Sequence, residues 1–393
     1  MRKKIAVIAP TKLPIPSVKG GAIETLTTHL LNENERGSEI YFDVFCYGDK
    51  ESMIAAKRYR NSSFFFYKYC MIDWLYDKFW AAVYNLSRKR IFARTSLAKH
   101  VSKELKQNLY DYILIEGNYL QICQLYNLNI PIIYHLHTDI LNSSTPYCQK
   151  IVAECSRILV ISEFLKQQVQ KATNVFDKII IYKNAVDTNS FFARESSNDL
   201  RERLGIPPND RVVIFCGRVV KIKGVLEMVK AFKETAISDL SLLIVGGTNF
   251  ADSQQSDYEK EVKRYISINK LKVFFTGYVP QTQLSQYYAL ANYSICPSIC
   301  NEAAGLVIIE AHSCGLPVIA TKKGGIPEYV CHEASILVEY NEDFVQNLSL
   351  AIRRMDTEYV DKSIKLRYSK YRKEYSIENY YDNFQKIVKS FQS

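Results

Sequence analysis

Asn301-Glu-Ala-Ala-Gly-Leu-Val-Ile-Ile-Glu310 sets two carboxylates eight residues apart, with small residues and a glycine between them. The apolar run Tyr293 to Cys296 precedes it, and Ala311-His-Ser-Cys-Gly-Leu-Pro-Val-Ile-Ala320 follows as helix end, Gly-Leu-Pro turn and strand. The unit therefore reads strand, tight loop, helix, strand. Glu302 sits in the loop, and Glu310 lies about one and a half turns into the helix. The N–H groups of Ala303, Ala304, Gly305 and Leu306 open that helix. Such groups lack acceptors within the helix and carry partial positive charge, so they suit a phosphate. The flanking carboxylates suit sugar hydroxyls. A Glu pair at this spacing also occurs on ordinary solvated helices, so the surroundings decide.

Those surroundings repeat the pattern. Arg211-Val-Val-Ile-Phe-Cys216 reads as a buried strand. It runs into Gly217-Arg218-Val-Val-Lys221-Ile-Lys223-Gly224, and an amphipathic helix follows from Val225. Cations and glycines thus gather where a strand hands over to a helix, the edge at which open α/β sheets bind ligands. Arg offers a planar fork to phosphate and Lys a point charge. Lone surface cations are the commoner meaning of either residue.

The first half opens with strand Lys4–Ala9, a loop holding Pro14, Pro16, Gly20 and Gly21, and a helix over about 22–34. The glycine pair would let backbone approach a ligand. The loop lacks the G-x-G-x-x-G order of a dinucleotide fold. Strand Ile132-Ile-Tyr-His135-Leu-His137 ends in Thr138-Asp139. Two His two apart share one strand face. His137, nearer the loop, is the candidate for chemistry and His135 for packing. No third ligand suggests itself, so no metal is expected.

Gly217-Arg218 with Lys223-Gly224, then Glu302 and Glu310, then Gly324-Gly325-Ile-Pro-Glu328 resembles the donor half of family-4 retaining glycosyltransferases. Asn184-Ala-Val-Asp187 before Phe191 and Ile158-Leu-Val-Ile-Ser162 add to the match, which is strong over 155–335 and thin over 1–150. The resemblance implies an α/β, GT-B architecture: two Rossmann-like domains facing a cleft, with a C-terminal helix crossing back to the first. The domains would be an acceptor-binding 1–192, joined by 376–393, and a donor-binding 193–375. It implies that Arg218 and Lys223 bind the donor diphosphate, that Glu310 holds the ribose and that Glu302 holds the donor sugar. His137 would contact the transferred sugar. The donor set would comprise Gly21, Asn184, Gly217, Arg218, Lys223, Glu302, Ala303, Ala304, Gly305, Leu306 and Glu310, with Glu302, His137, Arg218 and Lys223 serving catalysis. Ala185 departs from the family's usual glycine and puts the shape of that turn in question.

The expected activity is a retaining, metal-independent hexosyl transfer from a sugar nucleotide, UDP-linked before GDP-linked. The acceptor would be a glycan or lipid-linked glycan of surface polysaccharide synthesis. No cofactor is expected. A non-catalytic GT-B partner subunit and a sugar-nucleotide epimerase are the alternatives. The first would be expected to lose one of Arg218, Lys223, Glu302 or Glu310; the second needs no acceptor.

The chain has 393 residues, 47% hydrophobic and 23% charged, which suits two globular domains. No apolar run reaches the ~20 residues of a membrane span, and Met1-Arg-Lys-Lys-Ile-Ala-Val-Ile-Ala-Pro10 reads as a first strand and not a leader. Ten Cys without a CxxC pair fit buried reduced thiols and a cytoplasmic setting. Segment 57–94 stands apart, with nine Lys or Arg against two Asp and twelve aromatics, including both Trp. Met71, Leu75, Phe79, Val83 and Leu86 form one helical stripe there. Either the stripe packs as a core helix, or the segment meets anionic lipid headgroups at the inner face of the cell membrane. Nucleic acid is not expected. Tyr375 to Phe391 has helical spacing, and the turns at 196–199 and 207–210 are the expected domain junction.

Overall fold

The computed structural model describes residues 2–10, 12–37, 39–88, 92–247, 256–358 and 368–390. It divides into two units, Met1–Asn184 with Ile377–Ser393, and Ala185–Ser376.

The first unit is built on a seven-stranded sheet. Its strands are β1 (Lys3–Ile8), β2 (Ile40–Tyr47), β3 (Ser62–Tyr67), β4 (Tyr112–Glu116), β5 (Ile132–Leu136), β6 (Arg157–Val160) and β7 (Ile179–Ile181), in the order β3-β2-β1-β4-β5-β6-β7. Every pair is parallel. Strands covered on both faces carry continuous apolar runs, and Ile5 to Ile8 of β1 are fully buried. The order reverses between β1 and β4, so the loops leaving those two strands diverge and open a crevice. Gly21 lies beyond β1, Glu116 ends β4, and His137 follows β5.

The second unit repeats the plan. Strands β8 (Arg211–Cys216), β9 (Leu240–Val245), β10 (Val273–Gly277), β11 (Tyr293–Cys296), β12 (Val318–Thr321) and β13 (Ser335–Val338) run in the order β10-β9-β8-β11-β12-β13, all parallel. Alternate β8 side chains feed two cores. Val212, Ile214 and Cys216 pack with the Leu306–Ser313 helix, while Val213 and Phe215 pack with the helices Val225–Thr235 and Phe344–Glu358. Here the reversal falls between β8 and β11, and the predicted Arg218, Lys223 and Glu302 leave the sheet there. Ser197 caps the helix Asn198–Arg203 inside this unit, its side chain accepting from the Leu200 N–H.

The last helix, Ile377–Lys389, returns to the first unit and packs on the helix Ala22–Gly37. Phe384 is fully buried beside Phe42, Tyr380 stacks on Tyr182, and the Tyr381 hydroxyl donates to Asn34. Phe391 lies outside the described residues.

The helix Met71–Leu86 is turned the opposite way from a core helix. Its one buried residue is Asp73, which accepts from the Cys70 N–H and lies 2.7 Å from His100 Nε2. Asp77 accepts from the Ser96 N–H at 2.8 Å, at the start of the helix Ser96–Gln107. A carboxylate at a helix N-terminus is favoured by the helix dipole. Polar anchors therefore hold this helix, and the apolar stripe faces outward: Met71 is 76%, Phe79 60% and Leu86 84% exposed. The core-helix expectation for this stripe fails. Lys89 and Arg90 lie outside the described residues.

Candidate active site

Glu302 and Lys223 meet although 79 residues separate them. Lys223 Nζ donates to Glu302 Oε1 at 2.8 Å, and the Ser298 hydroxyl bonds the same oxygen. Two glycines make the approach possible. Gly224 has φ +67°, and a Cβ there would collide with the carbonyl oxygen of Pro297. Gly324 has φ +56°, and a Cβ would collide with the carbonyl oxygen of Glu302. Each needs both the left-handed conformation and the missing side chain. Backbone bonds close the clasp: Ile299 N–H to Ile222 O at 3.0 Å, and Gly325 N–H to Glu302 O at 2.7 Å. Burial works against the charge on Lys223, but the Glu302 carboxylate outweighs it and holds the ammonium above its usual range. Gly217 follows β8 with φ +148°, and Arg218 beside it is exposed.

The helix after Glu302 begins at Leu306, with Gly305 as an N-cap that has no side chain to offer. Ala303, Ala304 and Gly305, expected to open the helix, lie instead in the loop before it. Glycine and alanine there cannot cap with a side chain, and Ile308 N–H bonds back to Gly305 O at 2.9 Å, so the uncapped N–H groups of this turn are those of Leu306 and Val307.

Glu310 lies within this helix and is buried. Tyr288 donates to its Oε2 at 3.1 Å and Gln281 to its Oε1 at 3.3 Å. Burial pushes its carboxyl up to about 7, with the bonds from Gln281 and Tyr288 pulling the other way. Ser298, Gln281 and Tyr288 are partners that local sequence pattern does not reveal.

Asn184 is buried at the end of the first unit, and Ala185 follows without a left-handed φ. The substitution of alanine for glycine is thus accommodated. Asp187 turns the chain by accepting from the Asn189 N–H and the Ser190 hydroxyl, which seats Phe191 in the core.

In the first unit, Gly21 precedes the helix Ala22–Gly37, with the Glu24 carboxylate filling the space beside it. His137 and His135 do share a face: their rings are 3.9 Å apart. A third residue joins them. Glu116 Oε2 is 2.7 Å from His137 Nε2 and 3.1 Å from His135 Nδ1, and all three residues are buried. The expectation of no third group near the two His fails: Glu116 is that group, and its one visible signal is an acid closing the apolar strand Tyr112-Ile-Leu-Ile-Glu116. Burial opposes the Glu116 charge, yet the two imidazoles draw its carboxyl down to about 2. Burial, then the His135 charge, push His137 down to about 4 against the pull of Glu116. Both imidazoles contact one carboxylate oxygen directly.

Residues 196–371 match the family model for glycosyl transferases group 1. The spore coat protein SA of Bacillus subtilis is 23% identical over 370 residues, covering 89% of this chain and 91% of that protein. The lipopolysaccharide 1,2-N-acetylglucosaminetransferase of Salmonella typhimurium is 28% identical over 211 residues, 52% of each. Among solved structures, Anabaena HepE in complex with UDP-glucose superposes with a TM-score of 0.73 at 19% identity, covering 98% of this chain and 99% of that one. The shared fold is GT-B, two Rossmann-like domains on parallel sheets.

Proposed function

We propose that this chain, whose residues 196–371 match the family model for glycosyl transferases group 1, moves a hexosyl group from a nucleotide-diphosphate sugar to a glycan or lipid-linked glycan acceptor, with retention and without a metal. The observation that carries this reading is the Lys223–Glu302 pair, held by Gly224 and Gly324 against the open N-terminus of the Leu306–Ser313 helix. Lys223 and Glu302 meet on the loops that leave β8 and β11, at the switch point of the second sheet.

In this reading the donor diphosphate takes Lys223 from Glu302 and adds Arg218 and the amides of Ala304 to Leu306. Preorganised donors stabilise the charge that grows on the leaving diphosphate as the glycosidic bond breaks. Glu302, released, accepts hydroxyl hydrogens of the sugar, and Glu310 those of the ribose. Gly217 lets backbone lie close to the phosphates. Attack from the face of the leaving group keeps the anomeric configuration, with the leaving phosphate oxygen taking the acceptor's proton. The complex of HepE with UDP-glucose supports a sugar nucleotide as donor class. The second unit would hold the donor and the first unit the acceptor.

No helix among the described residues is long and apolar enough to cross a membrane. The outward apolar face of Met71–Leu86, with exposed Lys78 beside it, supports peripheral attachment to an anionic membrane.

Isothermal calorimetry with UDP tests the donor site. Lys223→Ala and Arg218→Ala should each bind about tenfold more weakly or worse, because a charged hydrogen bond contributes about 1.5–3 kcal/mol. Transfer should persist in excess chelator. Unchanged UDP binding in both variants, or turnover that magnesium alone restores, would sink the proposal.

A further inference from the structure

We propose that Glu116 is a positioning residue that grips His137 through its Nε2–H, so that Nδ1 is turned to substrate as a hydrogen-bond acceptor. This rests on the reading above in one respect, that the substrate group His137 meets is a sugar hydroxyl.

The geometry supplies the grip. Glu116 Oε2 lies 2.7 Å from His137 Nε2. An ionised carboxylate can only accept, so the ring nitrogen facing it must carry the hydrogen. Among the described residues, Nδ1 of His137 has no hydrogen-bond partner. A neutral imidazole with its proton on Nε2 has a bare lone pair on Nδ1. Burial and the neighbouring His135 ring both work against a second proton on His137.

The surroundings make the grip rigid. Glu116 closes β4 opposite His135 of β5, so the sheet register itself brings acid and imidazole together. His135 Nδ1, 3.1 Å from the same oxygen, steadies the carboxylate from the other side. Tyr182 lies 5.2 Å from the His135 ring, and the Tyr134 hydroxyl is committed to Gly117 O at 3.0 Å. Neither phenol competes for His137. Gly117 follows Glu116 with φ +70°, which turns the chain away at once and leaves the ring in place.

An acceptor at this point has a consequence for recognition. It bonds a hydroxyl as donor and cannot bond an ether or a fluorine in the same place. A histidine holding its proton on Nδ1 would donate instead, and a hydroxyl, an ether or a fluorine could each accept from it.

Nitrogen NMR of the full-length protein, with histidine labelled and His137 assigned by its loss in His137→Asn, reads the tautomer without any ligand. In the wild type at pH 7, Nε2 should be protonated and Nδ1 bare. Glu116→Met, similar in size but with no acceptor, should let both tautomers appear. Glu116→Gln keeps a carbonyl acceptor and should restore the wild-type signal. With UDP-glucose as probe, kcat should fall roughly tenfold or more in Glu116→Met, recover in Glu116→Gln, and leave KM little changed. A proton on Nδ1 in the wild type, or the same tautomer and turnover in Glu116→Met, overturns the proposal. If Glu116→Met does not fold, the wild-type spectrum still decides. If the wild type neither binds UDP nor turns over UDP-glucose, the donor reading fails, and the tautomer result stands by itself.

Discussion

A carboxyl whose proton leaves near neutrality, as that of Glu310 does, ties ligand binding to pH. Its folded-state value of about 7 lies above the 4.5 of a free glutamate. Between those two values the folded protein holds a proton that the unfolded chain has released. The group's contribution to stability therefore falls as pH rises from about 4.5 to 7 and is level above that, a cost on the order of 3 kcal/mol at full extent. Ribose hydroxyls donating to Glu310 favour its charged form and lower that value, so binding should expel a proton. Calorimetry of UDP binding at pH 7 in buffers of different ionisation enthalpy should show about half a proton more released by wild type than by Glu310→Gln. Equal release by the two proteins would remove Glu310 from the ribose site. At this scale the sequence exposes the two glutamates but not their company. Loop and helix positions are local properties, whereas Ser298, Tyr288, Gln281 and the Glu116 grip on His137 arise from chain folding back over many residues.

Among the elements, strands and their sheet-edge loops are legible because parallel strands buried on both faces must be continuous apolar runs, as in Arg211–Cys216 and Tyr293–Cys296. The helix Met71–Leu86 shows where periodicity stops helping. A stripe of Met71, Leu75, Phe79, Val83 and Leu86 has the same spacing whether it faces inward or outward. Asp73 and Asp77 settle the direction, through His100 and the Ser96 N–H, and these contacts come from another helix. The outward stripe predicts a membrane contact. Phe79→Ser with Leu75→Ser removes apolar area that solvent already reaches, so thermal stability should change little. Binding to vesicles containing phosphatidylglycerol should drop sharply, and wild-type binding should weaken with salt because exposed charges are screened over about 10 Å at roughly 0.1 M. Co-sedimentation is the measurement. Equal binding of wild type to neutral and anionic vesicles, or none to either, would leave the stripe without a lipid partner.

For the whole molecule, the two units differ in how they use the chain. The second is one continuous segment, Ala185–Ser376, while the first needs both ends, Met1–Asn184 and Ile377–Ser393. Spacing signals a helical C-terminus but not the address of that helix, which the family resemblance supplies and which rests physically on packing such as Phe384 beside Phe42 and Tyr380 on Tyr182. Tyr380, Tyr381, Phe384, Ile387 and Val388 are all buried. At about 1.5–3 kcal/mol for a large apolar side chain, losing them together removes as much as the 5–15 kcal/mol typical of a whole domain. Truncation after Ser376 should therefore unfold or aggregate the first unit, whereas Ala185–Ser376 expressed alone should fold and bind UDP. A milder lesion tests the same point within the full chain. Phe384→Ala should cost about 3–5 kcal/mol and produce an early melting transition for the first unit, with the UDP-stabilised transition of the second unit unmoved. A single transition shifted as a whole, still raised by UDP throughout, would mean that the two units melt as one body and that the last helix belongs energetically to both.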